Sequence, residues 1–479
     1  MINIKLYLNL KKQKFNSMSP AAKASLALVL AKFFQKGMSL ITGPIFTRIM
    51  PTSEYGIIST FTSWQSVLYI IATLNMASGV FNNGMMDFKE DRESFTKSLL
   101  CLANLCTAVC IGIYFLFYRW LAAFIDMPII MMMIMAMYFI FTPAYNYWLG
   151  RQRFEFKYIP ITIAMIAVSL LSTILAISFV LLAPNDSKAI AKVLGTETVA
   201  ILIGIVFYIY TWVKGGKVKI SYWKYAFSFN LPLIPHYLSM YVLSSSDRIM
   251  ISKMVDTSAT AIYNVAYTVA ALLIVFWDSI DASYAPWIYQ KLEEKKYYVI
   301  NKRGIQILLF FAFASVSTNL FAPEIISILA PKSYHSGMYV IPSVSAGVFF
   351  TAVYSLYMRV ELYIKKTKIV MIGTMAAAGL NLLLNYLLIP KFGFIAAGYT
   401  TLVCYLLLAI FHCVNVCHLG YGMCYQTKAV ALISGLVIIS CPLMSLLYSW
   451  TLLRYCFIFV LFITVVVKRR FFLTVIKKQ

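Results

Sequence analysis

The sequence is poor in charged residues. Asp, Glu, Lys and Arg make up 12% of its 479 residues, and 61% are hydrophobic, whereas soluble globular domains carry about 25% charged residues. A membrane-spanning helix needs about 20 predominantly apolar residues, and apolar segments of that length recur along the chain. This scarcity of charge excludes an ordinary soluble protein and leaves no room for a sizeable extramembrane enzyme domain.

Acidic residues are the scarcer of the two charged classes. Seventeen Asp and Glu stand against 41 Lys and Arg, which gives a net charge of +24. Basic residues of membrane proteins concentrate in cytoplasmic loops, and most of the Lys and Arg fall in loops on one side of the predicted spans. We therefore expect a multi-pass protein of the cytoplasmic (inner) membrane with both termini in the cytoplasm, and no nucleic-acid partner.

Motifs for catalysis and nucleotide hydrolysis are missing. The chain contains no G-x-x-x-x-G-K-[ST], Gly-x-Ser-x-Gly or His-Glu-x-x-His sequence. In the run HCVNVCH, His412 and His418 would project about 240° apart on a helix, so four metal ligands would not converge. We therefore predict no enzymatic step, no metal site and no cofactor.

Fourteen apolar segments bounded by charged or turn residues predict membrane-spanning helices. They cover residues 22–49, 57–82, 98–118, 127–149, 157–183, 195–213, 229–252, 259–283, 303–322, 338–363, 368–390, 394–419, 427–447 and 452–467. A weak repeat links the two halves of the chain, because Thr52-Ser53 and Tyr55 are matched by Thr257-Ser258 and Tyr263. Repeats in the same orientation are related by an axis along the membrane normal.

The predicted architecture is an all-α polytopic membrane protein built from two pseudo-symmetric six-helix bundles. We expect an N-terminal bundle in residues 1–213, a basic cytoplasmic linker in 214–224 and a C-terminal bundle in 225–420. Residues 421–479 would form two extra helices and a basic cytoplasmic tail. Duplicated bundles enclose a central cavity in which transporters bind their cargo.

Three segments resemble the polysaccharide (Wzx-type) flippase family. They are GPIFTRIMPTSEYG at 43–56, NLPLIPHYLSMYVLSSSDRIMISKMVDTSATAIYNVAY at 230–267 and YAPWIYQKLEE at 284–294. That family belongs to the superfamily of multidrug, oligosaccharidyl-lipid and polysaccharide exporters. The resemblance implies alternating-access transport of an undecaprenyl-diphosphate-linked oligosaccharide from the inner to the outer leaflet. The glycan would enter O-antigen of lipopolysaccharide, capsule or a similar polysaccharide, with polysaccharide polymerase machinery as a partner.

A diphosphate cargo requires internal cations, because an unpaired anion in hydrocarbon costs on the order of 20 kcal/mol in idealised estimates. Lys32 and Lys36 lie one helical turn apart on one face of the first span, and we predict that they meet the diphosphate. Arg248 and Arg359 are further candidate cavity cations. The alternatives are that the lysines snorkel to the inner interface, that Arg248 forms inter-helix ion pairs, and that Arg359 and Glu361 are interfacial.

Ionisable groups within the spans are candidates for gating or for coupling to a proton or Na⁺ gradient, because buried acids can exchange charge state. These candidates are Asp247, Asp278, Asp281 and His236. Asp278 and Asp281 share one helix face and could instead pair with lysines of the following loop. Pro232 and Pro235 predict a break in the seventh span.

Polar and aromatic side chains within the spans could contact sugars or hold helices together. The candidate sugar contacts are Asn75, Asn146, Tyr145, Trp148 and Asn264. Two other functions are compatible with the sequence. One is a cation-coupled multidrug extruder of the same fold, and the other is an integral-membrane glycan-modifying enzyme, which the missing catalytic motifs disfavour.

Overall fold

The structure, a computed structural model, describes the backbone of residues 20–155 and 157–467. In these ranges the chain forms eighteen α-helices and no β-strand, which confirms the all-α fold. The helices are α1 Pro20–Ile49, α2 Thr52–Thr73, α3 Gly79–Asp87, α4 Arg92–Leu116, α5 Tyr118–Ile125, α6 Ile129–Phe154, α7 Tyr158–Leu182, α8 Lys188–Val213, α9 Ile220–Asn230, α10 Ile234–Met254, α11 Thr257–Glu293, α12 Tyr297–Leu320, α13 Ala322–Leu329, α14 Ile341–Tyr363, α15 Thr367–Phe392, α16 Phe394–His418, α17 Thr427–Leu447 and α18 Thr451–Val467.

Ten of the described helices are long and apolar enough to cross a membrane: α4, α6, α7, α8, α11, α12, α14, α15, α16 and α17. They make the chain a multi-pass membrane protein. The remaining four predicted spans coincide with α1, α2, α10 and α18, which are outside this set. The count of fourteen spans therefore stays a prediction.

The predicted helix ends that differ most from the structure are those of the segments 57–82 and 259–283. The segment 57–82 is not one helix, because α2 ends at Thr73 and the next two residues, Leu74 and Asn75, have φ values of 50° and 48°. This left-handed backbone cannot continue a right-handed helix. The segment 259–283 is too short, because α11 runs for 37 residues, past Pro286, to Glu293. Residues 284–293 of the segment predicted as a loop therefore continue α11, and residues 297–303 already belong to α12.

The predicted break at Pro232 and Pro235 is confirmed. Helix α9 ends at Asn230, a 3-10 turn covers Leu231–Leu233, and α10 starts at Ile234. Proline lacks the N–H that an α-helix interior requires, and its ring clashes with the carbonyl four residues earlier. Placed in the turn and at the start of α10, the two prolines avoid both penalties.

The chain divides into two compact units. Unit 1 comprises Met1–Met50 and Trp64–Ile234, and unit 2 comprises Pro51–Ser63 and Pro235–Gln479. In unit 1, rings of Phe81 and Tyr147 stack 4.9 Å apart within the core between α3, α4 and α6. Unit 2 is organised around α14, whose most apolar stretch is 89% buried. The division into two six-helix bundles, a linker and a two-helix extension remains a prediction.

Candidate functional site

A carboxylate is enclosed within unit 2. Asp247 lies in the polar run SSSDR of α10 and is 0% exposed. Its Oδ2 accepts hydrogen bonds from Oη of Tyr263 at 2.5 Å and Oγ1 of Thr401 at 2.9 Å, and its Oδ1 accepts one from Nδ2 of Asn385 at 2.7 Å. Four helices, α10, α11, α15 and α16, thus supply one side chain each.

A second layer of polar side chains holds these donors in place. Asn381 and Asn385 lie one turn apart on α15, and Nδ2 of Asn385 donates to Oδ1 of Asn381 at 3.1 Å. Thr400 donates to Oδ1 of Asn385, and Ser246 donates to Oδ1 of Asn381 at 3.3 Å. A fully satisfied buried network is rigid. We call this set the Asp247 cluster: Ser246, Asp247, Tyr263, Asn381, Asn385, Thr400 and Thr401.

The Asp247 cluster supplies hydrogen-bond donors and no cation. In the described part of the chain Asp247 has no ion-pair partner, and the adjacent Arg248 is directed elsewhere, as expected for neighbours about 100° apart on a helix. The Nε of Arg248 donates to Oδ1 of Asn264 at 2.7 Å, and its guanidinium lies 4.3 Å from the ring centre of Tyr267. A buried acid without a counter-ion can be neutralised by a proton. The oxygens of the Asp247 carboxylate and of the neighbouring amide and hydroxyl groups are also the ligand type that hard cations prefer.

Two other predicted site residues bind each other. Arg359 of α14 forms a two-pronged ion pair with Asp281 of α11, in which Nε donates to Oδ1 at 2.9 Å and Nη2 donates to Oδ2. Their side chains are 22% and 17% exposed. Asp281 therefore pairs with Arg359 and not with a lysine of the following loop, whereas Asp278 is exposed. The positive charge of Arg359 is compensated within unit 2.

Glu361 is buried inside unit 2, and its depth in the membrane stays a prediction. Glu361 is 0% exposed, because it belongs to the face of α14 that packs against α16. Its Oε2 lies 2.7 Å from Nδ1 of His412, and its Oε1 accepts a hydrogen bond from Nδ2 of Asn415 at 2.5 Å. His412 is also 0% exposed. The run HCVNVCH thus supplies partners for a buried acid.

Among the described side chains, that of Lys36 in α1 is not in contact with another predicted site residue. Lys36 is exposed, and the side chain of Lys32 lies outside the described residues. His236 is half-buried, and its Nδ1 lies 3.2 Å from Oγ1 of Thr374.

Most predicted sugar contacts have partners within their own unit. In unit 1, Nδ2 of Asn146 donates to Oη of Tyr69 at 3.1 Å, and the rings of Tyr145 and Trp148 stack 6.2 Å apart. Asn75 accepts a hydrogen bond from Ser78. Asn264, in unit 2, is the acceptor for Arg248. The contacts of Asn146 and Asn264 join different helices, and a role of these residues in binding sugars stays a prediction.

Sequence reasoning missed most of the Asp247 cluster. Asn381 and Asn385 carried a usable signal, because two amides one turn apart in an apolar helix predict a polar stripe. Thr400 and Thr401 carried none. The buried acid Glu197 was also missed. It interrupts the apolar run of α8 and is 7% exposed.

Outside the spans, hydrogen bonds to Asp91 hold the predicted linker against the start of α4. Oδ2 of Asp91 accepts hydrogen bonds from Nζ of Lys219 at 2.5 Å and Oη of Tyr222 at 2.6 Å. The hydrogen bond from Lys219 is the main cause that lowers the pKa of Asp91 from 3.8 to about 2. The carboxylate is therefore ionised at neutral pH and ties the start of α4 to the segment before α9.

The sequence model of the family described as "Polysaccharide biosynthesis protein" matches residues 21–281, more than half of the chain. The chain belongs to this family. An uncharacterized membrane protein of Methanocaldococcus jannaschii is 31% identical over 195 residues. That alignment covers 39% of this chain, and the chain spans only 38% of that relative's length.

Solved structures with the same fold are transporters. The lipid II flippase MurJ in an inward closed conformation superposes with a TM-score of 0.67 at 14% identity, covering 93% of this chain and 99% of that one. A MOP superfamily transporter from Pyrococcus furiosus has a TM-score of 0.52 at 16% identity, covering 88% of this chain and 98% of the other. An outward-facing multidrug resistance MATE family transporter has a TM-score of 0.52 at 14% identity, covering 88% and 97%. At these identities the likeness shows the fold alone. The family match confirms the resemblance to a polysaccharide biosynthesis family, and the solved structures confirm the fold that the resemblance implies.

Proposed function

We propose that this protein moves an undecaprenyl-diphosphate-linked oligosaccharide from the inner to the outer leaflet of the cytoplasmic membrane by alternating access, without an enzymatic step. The observation that carries the proposal is the coincidence, in one chain, of a polysaccharide biosynthesis family with the fold of a lipid II flippase. The translocated glycan would become O-antigen, capsule or a similar surface polysaccharide, and polymerase machinery would use it next.

The lysines of α1 are the best candidates for the diphosphate. Arg359 is neutralised by Asp281, so its attraction for a diphosphate is reduced. Arg248 binds neutral acceptors and keeps its charge, but it is 9% exposed and its guanidinium is fixed by Asn264 and Tyr267. Lys36 is exposed, and Lys32 lies one turn away on the same helix. An ammonium on a flexible stem can follow a moving phosphate.

The Asp247 cluster is the proposed site of the coupling ion, a proton or Na⁺. Loading the ion would neutralise the only charged member of the network and weaken the hydrogen bonds that its donors make. Release would restore the charge and with it the tight packing of α10, α11, α15 and α16. An ion that binds in one state and leaves in the other supplies the driving force, because a ligand shifts a conformational equilibrium only by its differential affinity.

The test is complementation of a strain from which the gene has been deleted. We expect the deletion to remove the surface glycan and to leave lipid-linked oligosaccharide in the inner leaflet. The double variant Lys32→Ala, Lys36→Ala should lower surface glycan at least roughly tenfold, because each charge-assisted hydrogen bond contributes about 1.5–3 kcal/mol. Its level in the membrane should be unchanged.

Lys428→Ala is the matched control, because it removes one exposed lysine at the start of α17. Normal glycan from the double variant would reject the two lysines as diphosphate ligands. A deletion strain with normal glycan and no accumulated intermediate would reject the proposed function itself.

A cation-coupled multidrug extruder is the second candidate. The likeness to an outward-facing MATE transporter and the buried acid of the Asp247 cluster favour it. The same deletion strain separates the two functions. Increased drug accumulation with unchanged surface glycan would support the extruder.

A further inference from the structure

A second buried acid lies at the opposite end of α16 from the Asp247 cluster. Glu361 is two residues from the end of α14, and His412 is six residues from the end of α16. Along α16, His412 is about 16 Å from Thr401, at 1.5 Å per residue. The two acids therefore have separate surroundings within unit 2.

The hydrogen bonds of this second site leave one atom without a partner. Both oxygens of Glu361 are occupied, Oε2 by His412 and Oε1 by Asn415. An ionised Glu361 requires a proton on Nδ1 of His412, because two lone pairs facing each other at 2.7 Å would repel. Nε2 of His412 is buried and has no hydrogen-bond partner among the described residues. This nitrogen is therefore able to accept a proton.

Electrostatics favour a proton on Nε2. With Nε2 unprotonated and Glu361 ionised, the pair carries a charge of −1 in a fully buried place, where an uncompensated charge is costly. One proton makes the pair an imidazolium and a carboxylate with no net charge. The site holds a proton without needing room for a larger ion.

Among the described residues, no third side chain forms an ion pair with Glu361 or His412. From α14, the ring of Tyr354 stacks 6.0 Å from that of His412. From α11, Asp281 is already bound by Arg359. The other ionisable groups at this end of the packed elements are Tyr357 and Tyr363 of α14, Lys365 and Lys366 directly after it, Lys368 of α15, Cys413, Cys417 and His418 of α16, Tyr421, Cys424 and Tyr425 after it, Tyr284 and Tyr289 of α11, and Tyr297, Lys302 and Arg303 of α12.

We propose that Glu361 and His412 form a proton-binding site in unit 2, additional to the Asp247 cluster, and that Nε2 of His412 takes up the proton. A hydronium ion gives its proton to Nε2 and leaves as water, and the reverse step returns the proton to water. No electrons are transferred. The part that this site plays in transport rests on the proposed function, whereas the binding of a proton does not.

The direct test is nitrogen NMR of the full-length protein, labelled at histidine and held in lipid nanodiscs. The chain has 4 histidines, and His412→Gln identifies the signal of His412 by its loss. We expect His412 to carry protons on both ring nitrogens in the wild type at neutral pH. In Glu361→Gln, which keeps the shape of the side chain and removes its charge, we expect His412 to be neutral at the same pH.

Histidines ordinarily titrate between about pH 5 and 8. If His412 of the wild type stays neutral at every pH in this range at which the protein is folded, that result would overturn the proposal. So would a His412 that is charged equally in the wild type and in Glu361→Gln. The first outcome needs no variant to fold.

Surface glycan tests the role in transport. We expect His412→Gln to lower surface glycan in the complemented strain, while His418→Gln, which changes an exposed histidine of the same helix, leaves it normal. A protonated His412 together with normal glycan from His412→Gln would remove the site from the transport cycle. Normal glycan in the deletion strain would instead reject the proposed function and leave the NMR result standing.

Discussion

At the scale of single residues, three buried or half-buried acids of unit 2 are stabilised in three different ways. Asp247 has three neutral donors, Asp281 has a guanidinium, and Glu361 has an imidazole and an amide. Only the guanidinium carries a charge that does not depend on pH. Asp281 is thereby fixed as a structural ion pair, which leaves Asp247 and the pair of Glu361 and His412 as the proposed proton- or ion-binding groups.

The substitution Asp247→Asn tests whether that charge drives transport. It keeps the size of the side chain but places an amide N–H where an acceptor is needed, which costs about 1–3 kcal/mol for an unsatisfied buried group. We expect a lower Tm in detergent, normal insertion, and a surface glycan level that no longer responds to collapse of the ion gradient. Ser239→Ala is the control, because Ser239 lies in the same helix outside the cluster and its side chain donates a local hydrogen bond to the carbonyl oxygen of Pro235. If surface glycan in the Asp247→Asn strain still falls when the ion gradient is collapsed, the result would contradict ion coupling at this site.

At the scale of helices, the two Thr-Ser pairs of the sequence repeat occupy the same position, the first two residues of a helix. Thr52 begins α2 and Thr257 begins α11, and both starts belong to unit 2. The two helices approach closely at Gly56, where an added Cβ would lie 1.7 Å from the carbonyl oxygen of Thr257. Because the obstructing atom belongs to the backbone at the start of α11, it cannot swing aside as a side chain could. The two segments of the sequence repeat are therefore in direct contact.

Gly56→Ala should destabilise the protein. Overpacking a core costs about 1–3 kcal/mol and sometimes more, and here helix starts must separate to admit the methyl group. We expect a lower Tm and a lower level in the membrane. Gly379→Ala in α15 is the matched control, because nothing lies within 4 Å of its added Cβ. There alanine should be neutral or stabilising by up to about 1 kcal/mol through helix propensity. Equal Tm changes in the two variants would contradict the close contact.

The sequence predicts these helices better than it predicts their contacts. Apolar run length alone located a helix in every predicted span, because lipid removes the alternatives for an unpaired backbone. The end of α2 could not be predicted, since Leu74 adopts a left-handed conformation that its residue type does not favour. The pair between Asp281 and Arg359 joins positions 78 residues apart, and local patterns carry no information about such distances. Polar residues in apolar helices were recognised as functional candidates, but their partners were not.

At the scale of the whole molecule, the excess of Lys and Arg is the basis for the predicted orientation. Translocating short basic loops is disfavoured, so such loops stay in the cytoplasm. The predicted linker contains Lys214, Lys217, Lys219 and Lys224, and Lys219 is hydrogen-bonded to Asp91 of unit 1. The segment between α13 and α14 would face the opposite side. It forms a 3-10 helix, Lys332–Tyr339, with one lysine.

Single cysteines in these two segments test the orientation. The 9 native cysteines are first replaced, and Lys217→Cys and Ser333→Cys are then introduced at positions that are exposed in their units. In right-side-out vesicles, we expect a membrane-impermeant maleimide to label the cysteine at 333 and to leave the one at 217 unlabelled until the membrane is opened. Inside-out vesicles should give the reverse, because the charge bias places the linker in the cytoplasm. The opposite pattern in both preparations would invert every inner and outer assignment. It would place the Glu361 end of unit 2, which lies beside Lys365 and Lys366, on the outer side of the membrane.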